Sequence, residues 1–330
     1  MIGTEEDSRG KGQGKKMATP STSVLTDKAS SKNWFVRNAH YKQVYLMLLP
    51  VLLYYVVFHY GPMYGAIIAF KDFSPFLGFL KSPWVGLKHF EAFFHSIYFW
   101  RLIRNTISIN LLDILFHFPA PIILALLLNE VSNRFFKRAV QTITYMPHFI
   151  SVVVVAGLII NFCQSNGLFN ALLGLAGLKK QTFLTNPWFF QPIYVASSIW
   201  QHIGWGSIIY LASLTSVDLQ LYEQATVDGA GRFKQLRHIT LPGIAPTIII
   251  MLILRCGKMM TVGFEKVLLL YNPMVYERAD VISTFVYRQG LLNQDYSFAS
   301  AVGLFNSALN FLLIVMVNQI SRKVSDTSLW

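Results

Sequence analysis

Long apolar runs alternate with short polar ones along this chain, and each is about the length a helix needs to cross the hydrocarbon layer of a bilayer, roughly 20 residues. Six such runs fall at residues 44–64, 107–128, 143–163, 194–214, 244–262 and 298–320. Several contain Pro or Gly, which membrane helices tolerate because neighbouring helices re-satisfy the freed backbone groups. Pro62, Met63 and the apolar stretch 66–70 read as the exit turn of the first run. Residues 1–33 are rich in Gly, Ser, Thr and Lys and too poor in apolar side chains to bury a core, which predicts a disordered tail. Met17 offers a second possible start. The basic stretch is too long for a signal peptide and no small-residue cleavage pattern follows, so the first span is expected to stay attached. Residues 34–330 are then one six-span domain of an all-α membrane protein.

Composition sharpens this reading. Of 330 residues 53% are hydrophobic and only 13% charged, about half the roughly 25% charged usage of soluble domains. Mean hydropathy is +0.44. Such a chain cannot clothe a large core in charge, so a soluble domain is excluded. The formal charge of +12 sits in short segments between apolar runs, which excludes a nucleic-acid reader and points to the membrane. On the side holding both termini lie sixteen Lys and Arg, against eight in the opposite loops. That asymmetry predicts a multi-pass protein of the cell membrane with both termini cytoplasmic. The two cysteines, Cys163 and Cys256, lie in apolar runs, so neither a disulfide framework nor a zinc site is expected. The outer segment from Lys71 to Arg101 carries ten aromatic residues, the composition of an interfacial belt, with a docking surface for an outer partner as the sharper alternative.

No enzyme can be assembled from this pattern. Gly10-Lys11-Gly12-Gln13-Gly14-Lys15-Lys16 lacks the spacing and the preceding strand of a phosphate-cradling loop. The eight histidines show no metal-ligand spacing, and His148, after Pro147, reads as a structural histidine. With no nucleotide-binding motif, uphill transport must draw on another polypeptide or on an ion gradient. The gradient alternative would make Asp113 or Glu265 the coupling acid.

The stretch 215–242, on the predicted cytoplasmic side, is longer than a turn requires. Residues 217–228 favour a short helix that Gly229 can end, because glycine accepts the left-handed conformation after a helix terminus. Phe233, Leu236 and Ile239 then line one face of a second short helix closed by Pro242. Two short helices joined at glycines predict a compact knob suited to a cleft in a soluble partner.

Within this knob Glu223, Ala225 and Gly229, then nine residues, then Ile239, Leu241 and Pro242 follow the signature Glu-x-Ala-x-x-x-Gly…Ile-x-Leu-Pro. That pattern resembles the permease subunits of binding-protein-dependent ABC importers. Asp228-Gly229-Ala230 matches the family habit, while Gln224 replaces the usual middle alanine. Arg104-Asn105-Thr106, Asn129-Glu130, His59-Tyr60-Gly61-Pro62, Gly263-Phe264-Glu265-Lys266, Asn272-Pro273 and the run from Asp280 to Arg288 are similar to the complex-polysaccharide and oligosaccharide permeases, a subgroup related to the maltose-type importers. The resemblance implies the type I ABC importer permease fold, with a cytoplasmic coupling helix and the coupling residues Glu223, Ala225, Asp228, Gly229, Ile239, Leu241 and Pro242. It also implies a second, homologous permease subunit, ABC ATPase subunits beneath and an extracytoplasmic sugar-binding protein above. ATP and Mg would be used by the partner ATPase, with no cofactor bound by this chain, and the carried solute would be an oligosaccharide or polysaccharide fragment.

Charges at membrane depth are costly and usually face a bundle interior or cavity. Asp113 and His117 lie one turn apart on a helix face, and Arg255 and Lys258 likewise. These four, with Asn306 and Asn310 at i and i+4, are the candidates for the solute path, structural pairing being the alternative for each. Trp200 and Trp205 are candidate sugar-stacking rings, with membrane anchoring as the alternative.

Overall fold

The computed structural model describes residues 42–260 and 262–324, so the expected tail 1–33 lies outside the described residues. Among these residues the chain is helical, with one isolated antiparallel bridge between Lys71 and Trp84. The described residues divide into two units, the first ending at Tyr60 and the second beginning at Gly61. In the first, residues 43–60 form a helix with every side chain exposed, as in a helix immersed in hydrocarbon.

Among the described residues five helices are long and apolar enough to cross a membrane: Gln43–Phe70, Phe99–Glu130, Val152–Leu175, Arg232–Cys256 and Tyr296–Lys323. A further helix, Pro187–Leu214, has 28 residues, or about 42 Å at 1.5 Å per residue, but carries too many polar groups to match their hydropathy. Those groups face inward: Gln191, Ser197, Ser198, Gln201 and Ser207 are all buried. This helix packs against residues 113–130, 134–149 and 241–256, which makes it the centre of the bundle. A helix shielded from lipid on most sides has no need of an apolar surface. Gly204 allows the closest of these approaches, since a Cβ there would overlap the Thr144 carbonyl.

Among the described residues four wide π turns punctuate the helices, at Val56–Tyr60, Asp113–His117, Leu236–Thr240 and Arg288–Leu292. The first three stand just before a proline, Pro62, Pro119 and Pro242, and the fourth does not. Proline lacks an N–H and clashes with the carbonyl four residues earlier. In these three cases that carbonyl lies inside the π turn, where the widened backbone takes up the clash. Leu241 N–H accordingly reaches back to the Leu236 carbonyl, and Phe118 N–H to that of Asp113, 3.0 Å away.

These turns correct two expectations. Pro242 does not close a helix, because the helix from Arg232 runs on to Cys256. Nor do residues 61–70 form an exit turn, for they remain helical to Phe70. The expected span 143–163 needs the opposite correction. It is two helices, Arg134–Tyr145 and Val152–Cys163, because Pro147 interrupts the backbone ladder and Ser151 Oγ caps the new start by accepting from Val154 N–H.

Buried apolar side chains gather in three clusters. One contains Ile109, Val155, Ile159, Tyr194, Val262 and Val267; another contains Ile122, Ala125, Tyr210, Leu214 and Ile244. The third is aromatic and centres on Phe93, with Phe99, Phe285, Phe298 and Phe305 around it. The aromatic segment 71–101 is therefore only partly a belt: Phe93 is core, whereas Phe76 is 99% and Trp100 76% exposed.

Candidate functional site

Along the central helices, the stretch between the first two clusters is polar. Ile109 and Ile122 bracket Asp113 and His117 on one helix; Val195 and Tyr210 bracket Ser198, Gln201, His202 and Trp205 on another. These side chains, with Arg255, Lys258 and the segment Val262–Lys266, enclose a cavity of about 810 Å³.

Asp113 is its anchor. The π turn displaces the register of this helix and sets the Asp113 carboxylate between two partners. Oδ1 meets His117 Nδ1 at 2.9 Å, and Oδ2 accepts from the Arg255 guanidinium across 142 residues of sequence. The aspartate is buried, while the Arg255 side chain stays 40% exposed toward the cavity. An isolated carboxylate at this depth would be prohibitive; paired in this way it joins two helices and satisfies both charges.

Opposite stands Lys266, 5% exposed. Its Nζ donates to Ser198 Oγ at 2.9 Å and to the Tyr194 carbonyl at 3.4 Å, and lies 5.2 Å from the centre of the Tyr194 ring. Tyr194 Oη in turn accepts from Gly263 N–H at 3.1 Å. A helix of only seven residues, Phe264–Leu270, is thereby fastened to the central helix.

His202 adjoins both His117 and His148, with ring centres 5.9 and 5.4 Å apart, and His148 stacks flat on Trp205 at 4.6 Å. Even so, among the described residues no group of His, Cys, Asp and Glu is placed to hold a metal ion. Trp205 keeps 46% exposure and lines the cavity. Trp200 does not; it lines a separate apolar pocket with Phe162, Phe169, Phe183 and Phe189.

Asp113, His117, Arg255 and Lys258 are thus brought together, whereas Asn306 and Asn310 lie outside the cavity. Asn310 Oδ1 instead accepts from Met260 N–H at 2.8 Å and fixes the end of the neighbouring helix. Two features went unread in the sequence. Lys266 is visible there as a charge at the end of an apolar run, but its burial is not. The second is a clamp on Asp280, which is fully buried: Arg288 grips it at 3.2 and 2.7 Å, Arg101 at 3.1 Å and Thr284 Oγ1 at 3.0 Å. Burial disfavours the Arg288 charge, but the Asp280 carboxylate more than offsets it and raises the pKa further. Asn105 Nδ2, donating to the Glu277 and Asp280 carbonyls at 3.0 Å each, binds the same segment to the second helix.

At the far end of Arg232–Cys256 lies the stretch 215–242. Asp218 Oδ1 caps the helix Leu219–Val227 by accepting from Gln220 N–H at 2.9 Å. Gly229, at φ +74°, ends it, with Ala230 N–H on the Ala225 carbonyl at 2.8 Å and Gly229 N–H on Thr226 at 3.1 Å. This pair of bonds is the Schellman arrangement. Tyr222 Oη and Thr240 Oγ1 meet at 2.9 Å, and Gln235 Nε2 donates to Thr226 Oγ1 and the Ala230 carbonyl at 3.0 Å each. Glu223 and Asp228 are exposed, beside Leu219, Phe233 and an 89% exposed Val227. Ala225, Ile239 and Leu241 are half-buried, and Pro242 is exposed.

Residues 117–326 match the family described as "Binding-protein-dependent transport system inner membrane component". The chain is 46% identical to Protein LplB of Bacillus subtilis over 90% of its length and 94% of that protein. It is 43% identical to the polygalacturonan/rhamnogalacturonan transport system permease protein YteP of the same organism, over 93% and 96%. A crystal structure of a bacterial ABC transporter involved in the import of the acidic polysaccharide alginate superposes with a TM-score of 0.83 at 44% identity, covering 88% of this chain and 98% of that one. A second, of a bacterial alginate ABC transporter in complex with alginate pentasaccharide-bound periplasmic protein, gives 0.84 at 43% identity, over 90% and 99%.

Proposed function

This chain belongs to the binding-protein-dependent transport system inner membrane components, and from that premise we propose how it serves as the permease of a sugar ABC importer. Six helices span the membrane, the polar helix Pro187–Leu214 among them, with both termini in the cytoplasm. A separate ATPase grips the knob of residues 215–242. The apolar side chains Leu219, Val227 and Phe233 bury against its cleft, and Glu223 and Asp228 pair with basic groups there. Nucleotide and its Mg belong to that partner. A second, homologous permease closes the path from the other side, and an extracytoplasmic binding protein delivers an oligosaccharide.

The observation that carries this reading is the unbroken helix Arg232–Cys256. At its one end is the knob, at its other Arg255, which holds Asp113 across the cavity. Over 25 residues, about 37 Å at 1.5 Å each, a displacement at the ATPase reaches the cavity wall without passing through a loop. Trp205, braced from behind by His148, offers a flat face to a sugar ring. Both Asp113 oxygens are engaged by His117 and Arg255, a structural pairing; with the family match, this favours import driven by ATP over an ion gradient.

Reconstitution tests the scheme. Proteoliposomes holding both permeases, the ATPase and the binding protein should accumulate oligosaccharide only with ATP on the ATPase side. Uptake by this chain alone on an ion gradient would contradict it.

A further inference from the structure

The cavity is not electrically balanced. Three cations line it, Arg255, Lys258 and Lys266, against two carboxylates, Asp113 and Glu265. Asp113 is consumed by Arg255 and His117. Lys266 is buried against a hydroxyl and a carbonyl, both neutral acceptors. Lys258 is exposed, and among the described residues neither it nor Glu265 has an ion-pair partner. Uncompensated positive charge at membrane depth is costly, and water in the cavity relieves it only in part.

Resting on the importer reading above, we propose that this cavity takes a carboxylated oligosaccharide, a chain containing uronic acids, and that Lys258 is the residue that recognises its carboxylate, while buried Lys266 adds to the positive charge of the wall. A sugar carboxylate supplies the missing negative charge and two acceptor oxygens. Charge-assisted hydrogen bonds of this kind are roughly twice as strong as neutral ones. A neutral sugar of the same length leaves the Lys258 ammonium facing only hydroxyls. Glu265, beside Lys266 on the same short helix, repels the carboxylate and accepts from sugar hydroxyls. That opposition keeps the site from trapping its cargo, for conduction needs binding that is also easy to leave.

The test uses the complete importer in proteoliposomes, offered short galacturonate, glucuronate and mannuronate oligosaccharides, each beside its carboxyl-reduced counterpart. The expected result is that at least one acid form is taken up about ten-fold faster than its reduced twin, which corresponds to about 1.4 kcal/mol. Lys258→Gln should erase most of that preference and Lys258→Arg should restore it. Because the binding protein is unchanged between these variants, a change in preference belongs to the cavity. Lys266→Gln, being buried, is compared only after its thermal unfolding shows a folded protein. Equal uptake of a reduced twin, or a preference that survives Lys258→Gln, overturns the proposal and leaves the importer standing. Failure of every oligosaccharide, acid or neutral, overturns the importer reading and this one with it.

Discussion

In the knob of residues 215–242 the hydrogen bonds that set the turn between its two helices close within the stretch itself. Asp218 caps, Gly229 turns, Tyr222 meets Thr240 and Gln235 meets Thr226. The cavity is assembled the other way. Asp113, Ser198, Arg255 and Lys266 come from four helices, and the Arg255–Asp113 pair joins positions 142 residues apart. The knob is exposed and held by backbone geometry, so its identity depends on a few spaced residues. The cavity is buried and held by charge, so it depends on partners.

Substitutions at the two sites should therefore fail differently. The largest effect is expected for Asp113→Ala, which strands Arg255 and His117 at membrane depth and should cost about 3–5 kcal/mol. Thermal unfolding in detergent would read this as loss of the folded protein, and adding Arg255→Met should recover part of the loss. If the single variant is as stable as the parent, the cavity is not held by charge.

Gly204→Ala comes next. Its methyl group meets the Thr144 carbonyl, backbone that cannot swing aside, and overpacking of this kind costs about 1–3 kcal/mol. A fall in the unfolding midpoint checks it. Gly229→Val has a comparable local cost, about 1–2 kcal/mol for a left-handed residue, but a different signature: the spans stay folded while ATPase co-purification and ATP-dependent uptake are lost. Equal uptake by this variant would erase the distinction between the two regions.

Legibility in the sequence follows the same division. The helix before Gly229 and its glycine end were readable because capping is local. Asp113 and His117 were readable as a pair because they share one helix face. What lay beyond was set by partners far along the chain. Lys266 looked like a boundary charge, the clamp on Asp280 joins Arg101 to a residue 179 positions later, and Asn306 and Asn310 gave no sign that their helix face turns from the cavity. Pro242 and Pro62 were misread for another reason. Proline usually ends a helix, yet a π turn just ahead of it lets the helix continue. Pro187–Leu214 is recognisable by length but not by hydropathy, because burial among other helices permits the polar groups that lower it.

The smallest effect is expected at the contact between Tyr222 and Thr240. Tyr222→Phe removes one hydrogen bond to Thr240, worth about 0.5–1.5 kcal/mol. It should leave ATPase binding intact but lower uptake per ATP hydrolysed, because the knob is then less firmly joined to the helix that leads to the cavity. Unchanged coupling would show that the join at Thr240 carries none of the movement.

A separate motor should grip this knob from the cytoplasm. Val227→Cys, at its exposed tip, tests it when treated with a membrane-impermeant thiol reagent in sealed vesicles of each orientation. Labelling is expected only from the cytoplasmic face, with protection of that cysteine once the ATPase subunits are bound. Labelling from the opposite face, or equal labelling with and without the ATPase, would contradict that grip.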